Sequence, residues 1–260
     1  MKQIQSRDNS FYKQLKRLAE SGRERRKTGL TLLDGVHLVT AWEDRFGPLK
    51  TLIVNDSALQ GGEIAEHFGH RDLIVLSDAL MRDLGIVDTP SGLLALAPMP
   101  EATTPVDLGQ DLVLLDGVQD PGNLGTLMRT AVAAGVSQIA LSAGCASAWS
   151  PKVLRAGQGA HFALAITEQA DLAEIMQTYR GTTLVTCLEG ASDLYETAWQ
   201  GPLAWIFGAE GQGVSDALIS LATQRVRIPM PGRIESLNVG AAAAVCLFEA
   251  LRRRITAGKS

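Results

Sequence analysis

The chain has 260 residues, 46% hydrophobic and 20% charged, which is ordinary globular usage and excludes wholesale disorder and coiled coil. Its 24 Lys and Arg against 28 Asp and Glu leave a net charge of -4, which on its face speaks against a polyanionic partner. No run of about 20 apolar residues could span a membrane, no apolar signal core follows Met1, and no CxxC pair supports a zinc or disulfide framework. Cys145, Cys187 and Cys246 read as small buried apolar residues, and the expected compartment is the reducing cytoplasm.

Charge is unevenly placed along the chain. Residues 1–30 carry nine Lys/Arg against three Asp/Glu, a net of +6, whereas residues 31–110 carry four against twelve, a net of -8. Residues 111–260 carry eleven against thirteen. The basic run (Lys13, Lys16, Arg17, Arg23, Arg25, Arg26, Lys27) predicts a helix that is either a solvated face or a phosphate-binding element. TGLTLLDG, LKTLIVND and RDLIVLSD then predict strands, with VHLVTAWEDRF and SALQGGEIAEHF as helices between them. Residues 97–110, with three prolines, have linker composition and divide the chain into domains 1–105 and 106–260. Beyond them DLVLLDGV, SQIALSA, FALAITE, TTLVTCLE and PLAWIFGAE predict strands. Helices are predicted at LGTLMRTAVAAG, 170–180, 213–222 and LNVGAAAAVCLFEALRRR. Near-continuous apolar strands alternating with helices predict an α/β domain with a mostly parallel sheet covered on both faces.

Three segments of the second domain depart from plain packing. In the first, Asp120-Pro121-Gly122-Asn123 ends a strand and opens a helix; Asn123 suits an N-cap, and Arg129 follows six residues on. Arg129 is either a surface residue or a charge in need of a partner on an otherwise apolar helix. In the second, Gly208, Gly211 and Gly213 surround Glu210 between a strand and a helix, where backbone N–H groups can approach a ligand. The spacing is GxxGxG, which fits neither the dinucleotide fingerprint nor a P-loop. In the third, Ile228-Pro229-Met230-Pro231-Gly232 forbids regular structure, and Ser236 and Asn238 stand where N-capping alone could place either.

Together these segments resemble the three motifs of the SpoU (TrmH-like) class of SPOUT RNA methyltransferases. The matching residues are Asp120-Pro-Gly-Asn-Leu-Gly with Arg129, Phe207-Gly-Ala-Glu-Gly-Gln-Gly-Val-Ser, and Ile228-Pro-Met with Glu235-Ser-Leu-Asn-Val. Ser150-Pro151-Lys152 and Gly159-Ala160-His161-Phe162 resemble the segment between motifs, and the likeness spans about 111–251. Ser6, Asn9 and LLDGVHLV resemble the ribosomal-protein-L30e-like substrate-binding domain found in many members.

The resemblance implies a C-terminal sheet closed by a deep trefoil knot, a homodimer with its active site built across both catalytic domains, and S-adenosyl-L-methionine as methyl donor. Implied cofactor contacts are Leu188, Gly208, Gly213, Ile228, Met230 and Leu237; implied catalytic residues are Arg129, Asn123, Glu210, Ser236 and Asn238. Transfer to a ribose 2'-hydroxyl is an in-line displacement that needs positioning and removal of the hydroxyl proton. A guanidinium is a poor base, so Arg129 is expected to clamp the neighbouring phosphate and polarise the hydroxyl. Asn123 is expected to orient Arg129 or the ribose, Glu210 to anchor the cluster, and Ser236 and Asn238 to bind RNA or shape the cofactor loop. One departure is Gly240, where many members have Ser. The L30e-like extension favours ribosomal RNA over tRNA. A non-catalytic RNA-binding module and an NAD-dependent oxidoreductase are the readings from other classes. His37, His67, His70 and His161 read as structural or surface groups, and no cluster of metal ligands stands out.

Overall fold

The computed structural model describes residues 1–87, 89–100, 105–234 and 236–257. Part of the expected linker (101–104) and Glu235 therefore lie outside the described residues. In chain order the first elements are β1 (Lys2–Ile4), α1 (Ser10–Glu20), α2 (Gly22–Thr28), β2 (Leu30–Asp34), α3 (Val36–Phe46) and β3 (Thr51–Asn55). Next come α4 (Glu63–Phe68), β4 (Leu73–Leu76), α5 (Asp78–Asp83), β5 (Leu93–Pro98), β6 (Leu112–Asp116) and α6 (Pro121–Ala133). They are followed by β7 (Gln138–Leu141), α7 (Pro151–Gly157), β8 (Ala165–Thr167), α8 (Leu172–Thr178) and β9 (Thr182–Thr186). The last are β10 (Ser192–Asp193), β11 (Leu203–Gly208), α9 (Asp216–Leu221), β12 (Gln224–Arg227) and α10 (Val239–Ala257).

These form two units, Met1–Glu101 with Trp149–Phe162, and Ala102–Ala148 with Ala163–Ser260. The expected division into 1–105 and 106–260 therefore does not describe residues 149–162, which group with the first unit. Trp149, Val153, Leu154 and Phe162 are buried there, and Phe162 meets the Trp42 ring edge-on at 5.3 Å.

The first unit is a five-stranded mixed sheet in the order β1-β4-β3-β5-β2, with β5 antiparallel to both neighbours. Leu15, Leu18, Leu32, Ile53, Leu76 and Leu94 make its core beneath α1. Strand β5 was not expected, because its apolar run leads into prolines. The basic run differs from the single predicted helix. Ser21 ends α1 and its hydroxyl accepts from Glu24 N–H to open α2, so the run is split in two. Arg25 is buried and donates to the Leu18 carbonyl at 2.6 Å, closing the C-terminus of α1. It belongs neither to a solvated face nor to a phosphate-binding one.

The second unit is a seven-stranded sheet in the order β10-β12-β9-β11-β6-β7-β8, with every recorded pairing parallel. All six residues of β11 are buried, as are four of the five in β6, which is what a central strand covered on both faces requires. Two helices differ from expectation. Asp120, not Asn123, caps α6: Pro121 occupies the first turn and the Asp120 carboxylate accepts from Asn123 N–H at 2.7 Å. Helix α9 starts at Asp216 rather than 213, because the glycines before it form a turn.

Candidate active site

Strands β9, β11 and β12 lie side by side and parallel, so their carboxyl ends open on one edge. Ligands of open parallel sheets bind at that edge. A cleft of about 800 Å³ lies there, within the usual size range for small-ligand sites. All six residues expected to touch a cofactor line it: Leu188 after β9, Gly208 and Gly213 in the turn after β11, and Ile228, Met230 and Leu237 beyond β12. Glu210, Ser236 and Asn238 line it too.

The glycine turn has a local cause. Gly213 N–H donates to the Ala209 carbonyl at 2.8 Å, folding the turn back on the end of β11. A Cβ on Gly208 would lie 2.0 Å from the Gly213 carbonyl carbon, so no other residue fits under that turn. Gly213 itself has φ +71. The first demand on Gly208 is thus made by the protein's own backbone. The wall opposite comes from the proline loop: among the described residues, no hydrogen bond engages the backbone groups of 229–234. Free carbonyl and N–H groups beside the apolar Leu188, Ile228, Met230 and Leu237 fit a ligand that combines a flat heterocycle with polar edges, as S-adenosylmethionine does.

At the mouth, the three motifs meet. Asn123 Nδ2 donates to Glu210 Oε1 at 2.6 Å, and Asn238 Nδ2 donates to the same oxygen at 2.8 Å. Asn238 Nδ2 also donates to Asn123 Oδ1 at 2.9 Å. The other end of the Asn238 amide caps α10, its Oδ1 accepting from Gly240 N–H at 2.9 Å and Ala241 N–H at 3.3 Å. Capping and cluster formation, alternatives from sequence alone, are both realised by one side chain.

Arg129 is not brought into this cluster. It is exposed on α6, outside the lining of the cleft, with no hydrogen bond or ion pair among the described residues. Ser236 is exposed at the rim and likewise makes no hydrogen bond there. Sequence reading missed Asp116 at the end of β6. Its carboxylate accepts from Ser215 N–H at 3.0 Å, tying the first motif's strand to the far end of the glycine turn. It also missed Cys187, which is half-buried and lines the cleft, and Cys145 is half-buried as well. Only Cys246 is the buried residue expected, and burial pushes its thiol up to about 12. Among the described residues, no group of three or more potential ligands could hold a metal, and no helix is long and apolar enough to cross a membrane.

Comparison with known proteins bears on this geometry. The model of the SpoU rRNA Methylase family matches residues 111–248, and that of an MRM3-like substrate binding domain matches residues 9–95. The 23S rRNA (guanosine(2553)-2'-O)-methyltransferase RlmP of Bacillus subtilis is 32% identical over 250 residues, covering 95% of this chain and 98% of its own. The SpoU methyltransferase AviRb from Streptomyces viridochromogenes, solved in complex with AdoMet, is similar at TM-score 0.82 and 26% identity over 95% of this chain and 98% of its own. The A. aeolicus TrmH/SpoU tRNA modifying enzyme is similar at TM-score 0.50 and 27% identity, over 57% of this chain and 78% of its own.

Proposed function

The chain belongs to the SpoU rRNA methylase family and is an S-adenosylmethionine-dependent rRNA ribose 2'-O-methyltransferase, and we propose the division of labour among its residues that follows. The carrying observation is the junction of Asn123, Glu210 and Asn238 at the mouth of a cleft whose walls suit the methyl donor.

Leu188, Ile228, Met230 and Leu237 hold the donor's apolar parts, and the main chain of the Gly208–Gly213 turn and of the proline loop holds its polar edges. When bound, the donor supplies an electrophilic methyl on a cationic sulfonium. The protein's own work is to hold the ribose oxygen in line and to let its proton go. Arg129 grips the adjoining phosphate bidentately and polarises the hydroxyl. Asn123, fixed by Glu210, presents its amide to the ribose, while Ser236 and Asn238 contact RNA or set the loop.

Because Arg129 is exposed and outside its own chain's cleft, it serves the cleft of a second copy, and the working form is a homodimer. Phe248 and Ile255, 46% and 51% exposed on α10, supply an apolar face for that association. Helix α10 packs on α6, which carries Arg129. From β12 the chain returns through 228–238 to α10, and we read this path as the trefoil knot. The first unit is the L30e-like substrate-binding domain. The likeness to RlmP extends over this unit, whereas that to the tRNA enzyme covers 57% of the chain, which favours ribosomal RNA.

The test is incubation with labelled S-adenosylmethionine and an unmodified large-subunit rRNA transcript. Label should appear in an alkali-resistant dinucleotide, the signature of a blocked 2'-hydroxyl. Label on a base, or none on RNA, would overturn the reading.

A further inference from the structure

The first unit holds a second cleft, of about 890 Å³, that the methyl-transfer reading does not use. It lies between the N-terminus of α3, helix α4 and the end of α7. Two imidazoles, His37 and His67, stand exposed on its walls with the apolar Ile64 beside them. His67 Nδ1 lies 2.9 Å from the Glu63 carbonyl, which holds the ring in place on α4. Arg155 is anchored on the fully buried carboxylate of Asp34, which also accepts from Ser91 Oγ at 2.9 Å. Among the described residues only one guanidinium nitrogen takes part in that pair, so the flat group is oriented and its remaining N–H donors have no other partner. The N–H groups of Val36, His37 and Leu38 are also unbonded among the described residues, with no capping side chain on α3.

Charge decides what such a cleft can take. The charged residues on its lining are Asp34, Glu63 and Arg155, so the cleft does not hold a polyanion by charge alone. What it offers is ring faces and fixed donors and acceptors, the set by which proteins read unpaired RNA bases. We propose that this cleft binds one unpaired nucleotide of the RNA substrate, its base stacked on His37 and His67 and its edge read by Arg155. The phosphate faces the open N–H groups of α3. The recognition element is then a single-stranded nucleotide, and it selects the RNA independently of the donor site.

This inference rests on the methyltransferase reading, so the experiment separates the two. The full chain, His37→Ala/His67→Ala and His37→Phe/His67→Phe are compared with an unmodified 23S rRNA transcript, measuring KM for RNA, kcat, and S-adenosylmethionine affinity by calorimetry. Stacking on an aromatic face predicts that the alanine pair raises KM for RNA about tenfold, with kcat and donor affinity unchanged. The phenylalanine pair, which keeps a ring face, restores most of that loss. A wild-type KM in the alanine pair, or a phenylalanine pair as weak as the alanine one, overturns the proposal. A wild-type chain that transfers no methyl to the transcript overturns the functional reading instead.

Discussion

Asn123 and Glu210, 87 residues apart, are joined by a 2.6 Å hydrogen bond from Nδ2 to Oε1. The same oxygen receives Asn238 Nδ2, so one carboxylate oxygen sets the orientation of two amides from two other motifs. Charge-assisted bonds of this kind each contribute about 1.5–3 kcal/mol. Glu210→Gln keeps an acceptor but loses the charge, and its own amide competes with the two donors. We expect kcat to fall about ten- to hundredfold with donor affinity nearly intact. A variant with wild-type kcat would remove Glu210 from the organising position.

Arg129 poses a separate test, because among the described residues of its own chain none holds it. Since it touches neither the cleft nor the amide cluster, Arg129→Ala should leave S-adenosylmethionine binding and thermal stability unchanged. Methyl transfer should drop by about a hundredfold or more, the scale of losing one transition-state donor. Arg129→Lys should not recover it, since a point charge cannot grip a phosphate bidentately. Mixing Arg129→Ala with a chain disabled at Glu210 should restore part of the activity if each site takes its arginine from the other copy; no recovery would argue for a site within one chain.

The bond from Ser215 N–H to Asp116 Oδ2 holds the glycine turn against β6. In Asp116→Ala that N–H loses its acceptor and the turn its anchor, so KM for the donor should rise about tenfold, more than kcat falls. Asp116→Asn keeps an acceptor oxygen and should recover most of the loss. If the alanine variant shows only a lower melting temperature and no change in KM, the contact is purely structural.

The parts legible in the sequence were those with a local cause. Gly213, Pro229 and Pro231 interrupt regular structure by their own geometry, and all the residues expected at the cofactor lie on one cleft. Convergence of Asn123, Glu210 and Asn238 was reached through family likeness, because no short-range rule brings together residues so far apart in the chain. Arg25 was misread because a cation in a basic run looks solvated; its burial depends on the Leu18 carbonyl, which is freed only because the helix breaks at Ser21. Asp116 was overlooked because a carboxylate at a strand end is common, and its partner lies 99 residues away. The grouping of 149–162 with the first unit follows from aromatic packing such as Phe162 on Trp42, which periodicity does not register.

Acid should act through Glu249. Hydrogen bonds from Arg252, burial notwithstanding, bring its carboxyl from 4.5 down to about 2, with Arg253 adding to the effect. A folded-state pKa below the unfolded one means stability that is complete above about pH 4.5 and lost as pH falls toward 2. Arg253 also donates to the Leu194 and Tyr195 carbonyls at 2.8 Å and lies 4.0 Å over the Trp199 ring, so the pair fixes α10 to the turn after β10. Urea midpoints measured across this pH range should decline more steeply for the wild type than for Glu249→Gln. Parallel slopes would assign the acid sensitivity elsewhere.

Gly240 stands where the resemblance to the family leads one to expect Ser, and the structure gives the glycine a consequence. A Cβ there would lie 3.1 Å from Asn238 Oδ1 and 3.1 Å from Thr126 Cγ2. Thr126 is exposed and free to turn, but Asn238 Oδ1 is held by two N–H groups while its Nδ2 is held by Glu210 and Asn123. Replacing glycine in a helix gains about 0.5 kcal/mol of propensity for Ser, which offsets the crowding, so the melting temperature of Gly240→Ser should stay close to wild type. The displacement falls on the Asn238 amide, which cannot move without pulling on Glu210. We therefore expect several-fold lower kcat with unchanged fold and donor binding. If Gly240→Ser raises both kcat and stability, the contact with Asn238 relaxes freely and glycine at this position serves no purpose in the cluster.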